Sequence, residues 1–262
     1  FMVGITILPS VRITSEHHMV YAKVCAEEQV AGIEVSGTPL DKALGMQTME
    51  RLKKAGVKLF HKLGSVRHAV HAEKAGYDGV YAAGFEEGGH PLGDDVTTMV
   101  LTPRIAESVK IPVVTVGGVS DGRSLAAALT LGAQGVMMAS RFISTEECDV
   151  HDNIKQELIR RQENETTLIC KSIGLQGRAL KNKIVAEVLA AEERGEGLDV
   201  LIPLIAGQRV KGAWEKGNVD DAPLMVGQSI GHIHDVLSCK ALLERMHDEA
   251  VVHLRKASAL IQ

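Results

Sequence analysis

Short apolar runs and longer amphipathic stretches alternate along most of this chain. Met2-Val-Gly-Ile-Thr-Ile-Leu8 is an apolar run ended by Pro9, the pattern of a buried strand. Residues 16–29 have helical spacing, and Ala31-Gly-Ile-Glu-Val35 is the next strand. The same rhythm predicts a helix over about Leu44–Ala55, a strand over Val57–His61, a helix over Val66–Ala75 and a strand over Gly79–Ala82. A helix over about Leu101–Val109, a strand over Pro112–Val116, an alanine-rich helix over Arg123–Leu131 and a strand over Gly135–Met138 complete the run. Strands that alternate with helices and show no hairpin signal imply a parallel sheet with right-handed crossovers. Lys54-Ala-Gly-Val-Lys58, Lys74-Ala-Gly-Tyr-Asp78 and Leu131-Gly-Ala-Gln-Gly135 each end a helix on glycine and turn straight into a strand. That turn belongs to the (β/α)8 barrel, so the expected fold is α/β, a TIM-type barrel. Six strands are countable where closure needs eight, so one or two N-terminal βα units are expected to be missing from this chain.

Beyond Phe142 the alternation stops. Residues 151–164 and 178–195 read as charged helices, broken by Gly174, Gly177, Gly195 and Gly197, and predict a helical cap over the barrel mouth. A last helix over about Cys239–Leu260 has an apolar stripe of Leu242, Leu243, Met246, Ala250 and Leu254 that would pack back on the barrel. The expected organisation is a barrel over 1–145 (strands three to eight of a full barrel), a cap over 146–225 and a returning segment over 226–262.

Composition sharpens this picture. Hydrophobic residues make up 45% of the 262 positions but aromatics only 3%, so the core is aliphatic, as in buried parallel sheets. The net charge of −4, with scattered basic residues, does not favour nucleic acid as a partner. No apolar run is long enough to span a bilayer. Cys25, Cys148, Cys170 and Cys239 form no CxxC pair and read as reduced thiols, which points to the cytoplasm.

The candidate chemistry lies in the loops after the strands. Gly84-Phe-Glu-Glu-Gly-Gly-His90 places Gly88 and Gly89, which permit close backbone approach, just before a histidine, a residue type suited to proton transfer. Its bland alternative is a glycine turn with a solvated histidine. Gly117-Gly118 follows one strand, and Met138-Ala139-Ser140 follows the next. In barrels the loops after the last two strands commonly bind phosphate, so this pair suggests a phosphate-bearing cofactor, with ordinary turn chemistry as the alternative. Lys62 reads either as a charge beside an electron-rich ring or as a snorkelling surface lysine. His232 and His234 lack a third ligand at suitable spacing, so no metal is expected. Arg178, Lys181 and Lys183 read as a solvated face or as contacts to a cofactor phosphate, and Trp214 as core or as the wall of a substrate slot.

These motifs together resemble the nitronate monooxygenases, also called 2-nitropropane dioxygenases, which are FMN-dependent barrels related to flavin-type enoyl-acyl-carrier-protein reductases. The resemblance rests on Gly84–His90, Val116-Gly-Gly-Val-Ser-Asp-Gly122, Ala139-Ser-Arg-Phe142 and Val226-Gly-Gln-Ser-Ile-Gly231, in that order along the chain. His61-Lys62 with Ser65-Val-Arg-His-Ala69, and Gly84-Phe-Glu with His90-Pro91, most resemble a subgroup acting as NADH:quinone reductase. The resemblance implies FMN with its phosphate on Gly117, Gly118, Ala139 and Ser140 beside Met138, Lys62, Gly88 and Gly89 near the ring, and His90 on the substrate side as the catalytic residue. NAD(P)H as co-substrate, a nitroalkane, quinone or enoyl thioester as small-molecule substrate, oxygen or quinone as acceptor, and a homodimer belong to the same expectation. Three departures stand out. The Pro-Met strand that faces the flavin is absent, Gly4 lies in the strand where the family often has Asn, and Val35-Ser36-Gly37 replaces the His-Phe-Gly of the nitronate-oxidising subgroup. A phosphate-binding isomerase or synthase barrel without flavin would share the same glycine loops.

Overall fold

A computed structural model describes residues 1–8, 13–92 and 94–261; Pro9, expected to end the first strand, and Gly93 of the glycine loop lie outside the described residues. The chain runs β1 (Met2–Ile7), α1 (Ser15–Glu27), β2 (Gly32–Gly37), α2 (Leu40–Ala43), α3 (Met46–Lys54), β3 (Lys58–Leu63), α4 (Val66–Ala75) and β4 (Gly79–Ala83). It continues through α5 (Thr98–Ala106), β5 (Val113–Val116), α6 (Gly122–Thr130), β6 (Gly135–Met137) and α7 (Ser140–Ile143). The first six strands form one sheet in sequence order, every neighbouring pair parallel. This is the α/β, TIM-barrel-type arrangement read from the alternation; among the described residues β1 and β6 are the two edges.

The strands sort their residues by face because successive side chains point to opposite sides. Ile33, Val35, Leu59, Leu63, Val80 and Ala82 point outward and are buried with Leu52, Ala69, Ala72 and Ile105 of the helices. The other face carries Glu34, Ser36, Phe60, Lys62 and Tyr81, with Glu34 in register with Gly4 and Phe60, and Lys62 with Tyr81. The aliphatic core therefore lies between sheet and helices, and the inner face is polar enough to house chemistry.

Local chemistry explains where elements stop. The expected helix over Leu44–Ala55 is α3, and the unpredicted short helix α2 precedes it, the two separated where Gly45 adopts φ +82. Ser65 Oγ accepts the His68 N–H at the start of α4, and Gly76 closes that helix in the left-handed region. The expected helix over Leu101–Val109 starts earlier, at Thr98, and ends at Ala106. Lys62 lies inside β3, which runs two residues past His61.

The cap departs furthest from expectation. After α8 (Asp152–Leu158), β7 (Thr166–Ile169) and β8 (Gly177–Leu180) pair antiparallel, so a ribbon occupies part of the stretch expected to be helical. Cys170 and Gly174 both have positive φ and reverse the chain between these strands. α9 (Lys183–Glu193) begins only where Asn182 Oδ1 accepts the Val185 N–H at 3.0 Å. α10 (Leu198–Ile205) and α11 (Gly207–Lys216) follow, then a 3-10 turn over Gln228–His232 and α12 (Cys239–Leu260). α12 packs on α6 through Leu242, Met246 and Ala250, whereas Leu243 of the expected stripe faces outward. A Cβ on Gly122 would stand 2.3 Å from Glu249 Cβ, so α12 sits this close only because residue 122 is glycine. No described helix is long and apolar enough to cross a membrane.

Candidate active site

A pocket opens at the C-terminal ends of β2, β3, β5 and β6, where barrels of this type carry their sites. Its lining brings Gly117, Gly118, Met138, Ala139 and Ser140 together with Glu34, Ser36, Lys62, Glu87 and Gly88. Two halves of the predicted site, far apart in sequence, thus share one cavity.

The first half is built from backbone. Gly117 and Gly118 both have positive φ, +90 and +74, which L side chains rarely adopt. A Cβ on Gly117 would also stand 2.8 Å from the Glu87 N. The Gly117 carbonyl lies 3.1 Å from Thr98 Oγ1, so the trans peptide points its oxygen at α5 and the Gly118 N–H the opposite way. Thr98 is itself fixed, because its N–H donates to the Glu86 carboxylate at 2.9 Å. Ser140 Oγ accepts the Gly227 N–H at 2.9 Å and keeps its own proton to donate. Gln228 N donates to Glu86 O at 2.9 Å, and a Cβ on Gly88 would lie 2.4 Å from the Val226 backbone. The Val226–Gly231 motif is therefore the strap that joins the Gly84–His90 and Ala139–Phe142 motifs.

This lining suits the expected FMN. Paired glycines at the strand end and a buried hydroxyl with a free proton provide neutral donors for a phosphate, and Val116, Met137 and Met138 provide apolar contact.

The second half is charged. Lys62 Nζ lies 3.3 Å from Glu87 Oε2, and the two side chains are 17% and 4% exposed. Burial pushes the Glu87 carboxyl up to about 7, against the pull of Lys62 and with a smaller push from Glu34. Ser36 Oγ donates to the Glu34 carboxylate. A Cβ on Gly4 would approach Glu34 Oε2 to 3.4 Å, so Glu34 fills the space beside the position where the family often has Asn. Neither Glu34 nor Glu87 is among the sequence-predicted site residues. Glu34 had a signal, as the only charge within Ala31-Gly-Ile-Glu-Val35. Glu87 had none beyond its place in the glycine loop.

His90 is not brought into this lining. Its side chain is exposed and its Nδ1 lies 2.8 Å from the Gln176 carbonyl oxygen, at the rim between loop and cap. Gly89, with φ +81, bridges to Arg178 instead of lining the pocket. Arg178 is neither solvated nor free for a phosphate: it is 3% exposed, donates to the Phe85 carbonyl at 2.9 Å and stacks 4.5 Å over the Phe85 ring. His61 points to the outer face, where its Nδ1 lies 3.0 Å from the Val35 carbonyl oxygen and burial lowers its pKa. Trp214 packs partly buried in the cap core.

The family model for nitronate monooxygenase matches residues 10–249. The chain is 30% identical to the (3aS,4S,5R,7aS)-5-hydroxy-7a-methyl-1-oxo-octahydro-1H-indene-4-carboxyl-CoA dehydrogenase of Mycobacterium tuberculosis, over 88% of this chain and 75% of that protein. It is 34% identical to a probable nitronate monooxygenase of Staphylococcus aureus, over 53% of this chain and 42% of that protein. FabK from Thermotoga maritima superposes with a TM-score of 0.87 at 28% identity, over 99% of this chain and 78% of that chain. The nitroalkane oxidase of Streptomyces ansochromogenes shares the fold, with a TM-score of 0.79 at 21% identity, over 98% and 82%.

Proposed function

Because this chain belongs to the nitronate monooxygenase family, we propose that its pocket holds FMN and oxidises a small carbon acid, with an acyl thioester of coenzyme A as the preferred class. The chain is an enzyme of the oxidoreductase class. The observation that carries the reading is the cradle of Gly117, Gly118 and Ser140 sharing one cavity with Lys62 and Glu87. Gly117, Gly118, Ala139 and Ser140 hold the phosphate, and Met137 and Met138 flank the ring. When bound, FMN supplies two-electron redox chemistry that no amino-acid side chain offers. The residues of the chain orient the substrate, keep water from the buried Lys62–Glu87 pair and manage protons. We assign His90, on the rim three residues from Glu87, to the substrate side.

The thioester is preferred because the dehydrogenase relative matches 88% of the chain, whereas the probable nitronate monooxygenase matches 53%. Nitroalkane oxidation is the second reading, favoured by the family model. NAD(P)H as donor and quinone or oxygen as acceptor are assigned by testing each with the purified chain. The decisive variant is Gly118→Asp, which forces a side chain onto a positive φ and puts a carboxylate where the phosphate belongs. Purified wild-type protein is expected to be yellow and the folded variant colourless. Equal flavin absorbance in both would refute the cradle assignment.

A further inference from the structure

Glu34, Lys62 and Glu87 place two carboxylates and one ammonium on the pocket wall. An interior ion pair is a poor way to stabilise a fold, because desolvation offsets most of the Coulombic gain and apolar residues of similar size do as well. Perturbed carboxylates lining a cavity instead mark places where protons move. Everything facing Glu87 is accounted for. Lys62 comes from β3 and Glu34 from β2. Glu86, its neighbour, is engaged by Thr98. The 226–229 strap and the Gly117-Gly118 loop contribute backbone and the Ser229 hydroxyl, but no charge. Lys62 is thus the one cation within ion-pair reach of Glu87 among the described residues.

We propose that Glu87 is the catalytic base that removes the proton from the carbon beside a substrate thioester carbonyl, and that Lys62 holds the Glu87 carboxylate before the transfer and the enolate oxygen after it. This rests on the substrate class proposed above. The carbon–hydrogen bond breaks, an oxygen–hydrogen bond forms on Glu87, and the electron pair moves to the thioester oxygen. Nothing is oxidised in this step. Lys62, Glu87 and substrate sum to zero net charge before and after it, so the transfer relocates a charge in the low-dielectric site without creating one. A carboxyl raised to about 7 is also matched to proton transfer near neutral pH.

The test is exchange of the α-proton of cyclohexanecarbonyl-CoA in D2O, read by mass spectrometry on the purified chain. Wild-type protein is expected to exchange the proton, at a rate rising with pH about a midpoint near 7. Glu87→Gln is expected to slow exchange about 10²–10⁴-fold and to remove that midpoint, with flavin absorbance, and Tm at pH 5, close to wild type. Glu87→Asp, which keeps a carboxylate, recovers part of the rate. Unchanged exchange in Glu87→Gln, or none in the wild-type chain, overturns the proposal. Flavin is read separately by absorbance. A yellow chain that fails to exchange refutes the thioester proton transfer and leaves the cofactor reading standing, exchange that persists in Glu87→Gln refutes the Glu87 assignment alone, and a colourless chain that exchanges refutes the cofactor reading alone.

Discussion

The two faces of β2 and β3 are one residue apart in sequence and opposite in purpose. Ile33, Val35, Leu59 and Leu63 on the outer face are at most 1% exposed and packed under helices. Glu34, Ser36 and Lys62 on the inner face line the pocket. The outer face stabilises the sheet by excluding water. The inner face carries polar groups that cost stability, and their position at the strand ends makes them useful. One strand can do both because its side-chain period is two, so a one-residue slip would exchange the faces.

The largest effect expected from this comparison is on the outer face. Leu59→Ala should lose about 2–5 kcal/mol of unfolding free energy, as large-to-small core changes do. Phe60→Ala, one residue along on the half-buried inner face, should lose clearly less despite its greater volume. Urea titration of both variants checks this, and a larger loss for Phe60→Ala would reverse the assignment of faces.

The next effect is a pH dependence confined to the inner face. The Glu87 carboxyl is raised in the folded chain from its ordinary 4.5 to about 7, so the unfolded state ionises first as pH rises. The stability linked to this group is therefore present below about 4.5 and is lost as pH climbs through about 7. Glu87→Gln has no such slope. Relative to wild type, the variant should gain stability between pH 5 and pH 8, by up to a few kcal/mol. Denaturation curves at the two pH values measure it, and a constant difference would show that Glu87 does not titrate in this window.

The smallest effect concerns the rim. His90→Ala leaves the Gly117-Gly118 cradle untouched, so flavin should stay bound while turnover falls about tenfold, the low side of acid–base contributions. Steady-state kinetics beside a flavin spectrum read both. Unchanged turnover would make the contact of His90 with Gln176 purely structural.

Much of the barrel was legible because local rules act over short distances. The Lys54-Ala-Gly and Lys74-Ala-Gly turns marked helix ends, since Gly56 and Gly76 adopt the positive φ that such ends need. The Gly117-Gly118 and Ala139-Ser140 loops were readable as one site because their order in a barrel makes them neighbours. The ribbon of β7 and β8 was hidden, because the run beginning at Arg178 has both helical and extended solutions. Its pairing with β7 and its contacts with Phe85 and Gly89 favour the strand. The position of His90 was hidden for a related reason, since a residue two past Gly88 turns toward the cap or the cavity according to what the cap offers.

The sequence by itself determined the parallel alternation, the glycine cradle and the family, because turn chemistry, side-chain period and motif order are properties of neighbouring residues. Only the tertiary structure decided that Glu34, Lys62 and Glu87 converge on one wall and that Arg178 is a buried latch. Charges gain their meaning from burial and from partners tens of residues away. Lys62 and Glu87 meet because β3 and the loop after β4 lie side by side, and the cavity they share desolvates the carboxyl enough to bring it near neutrality.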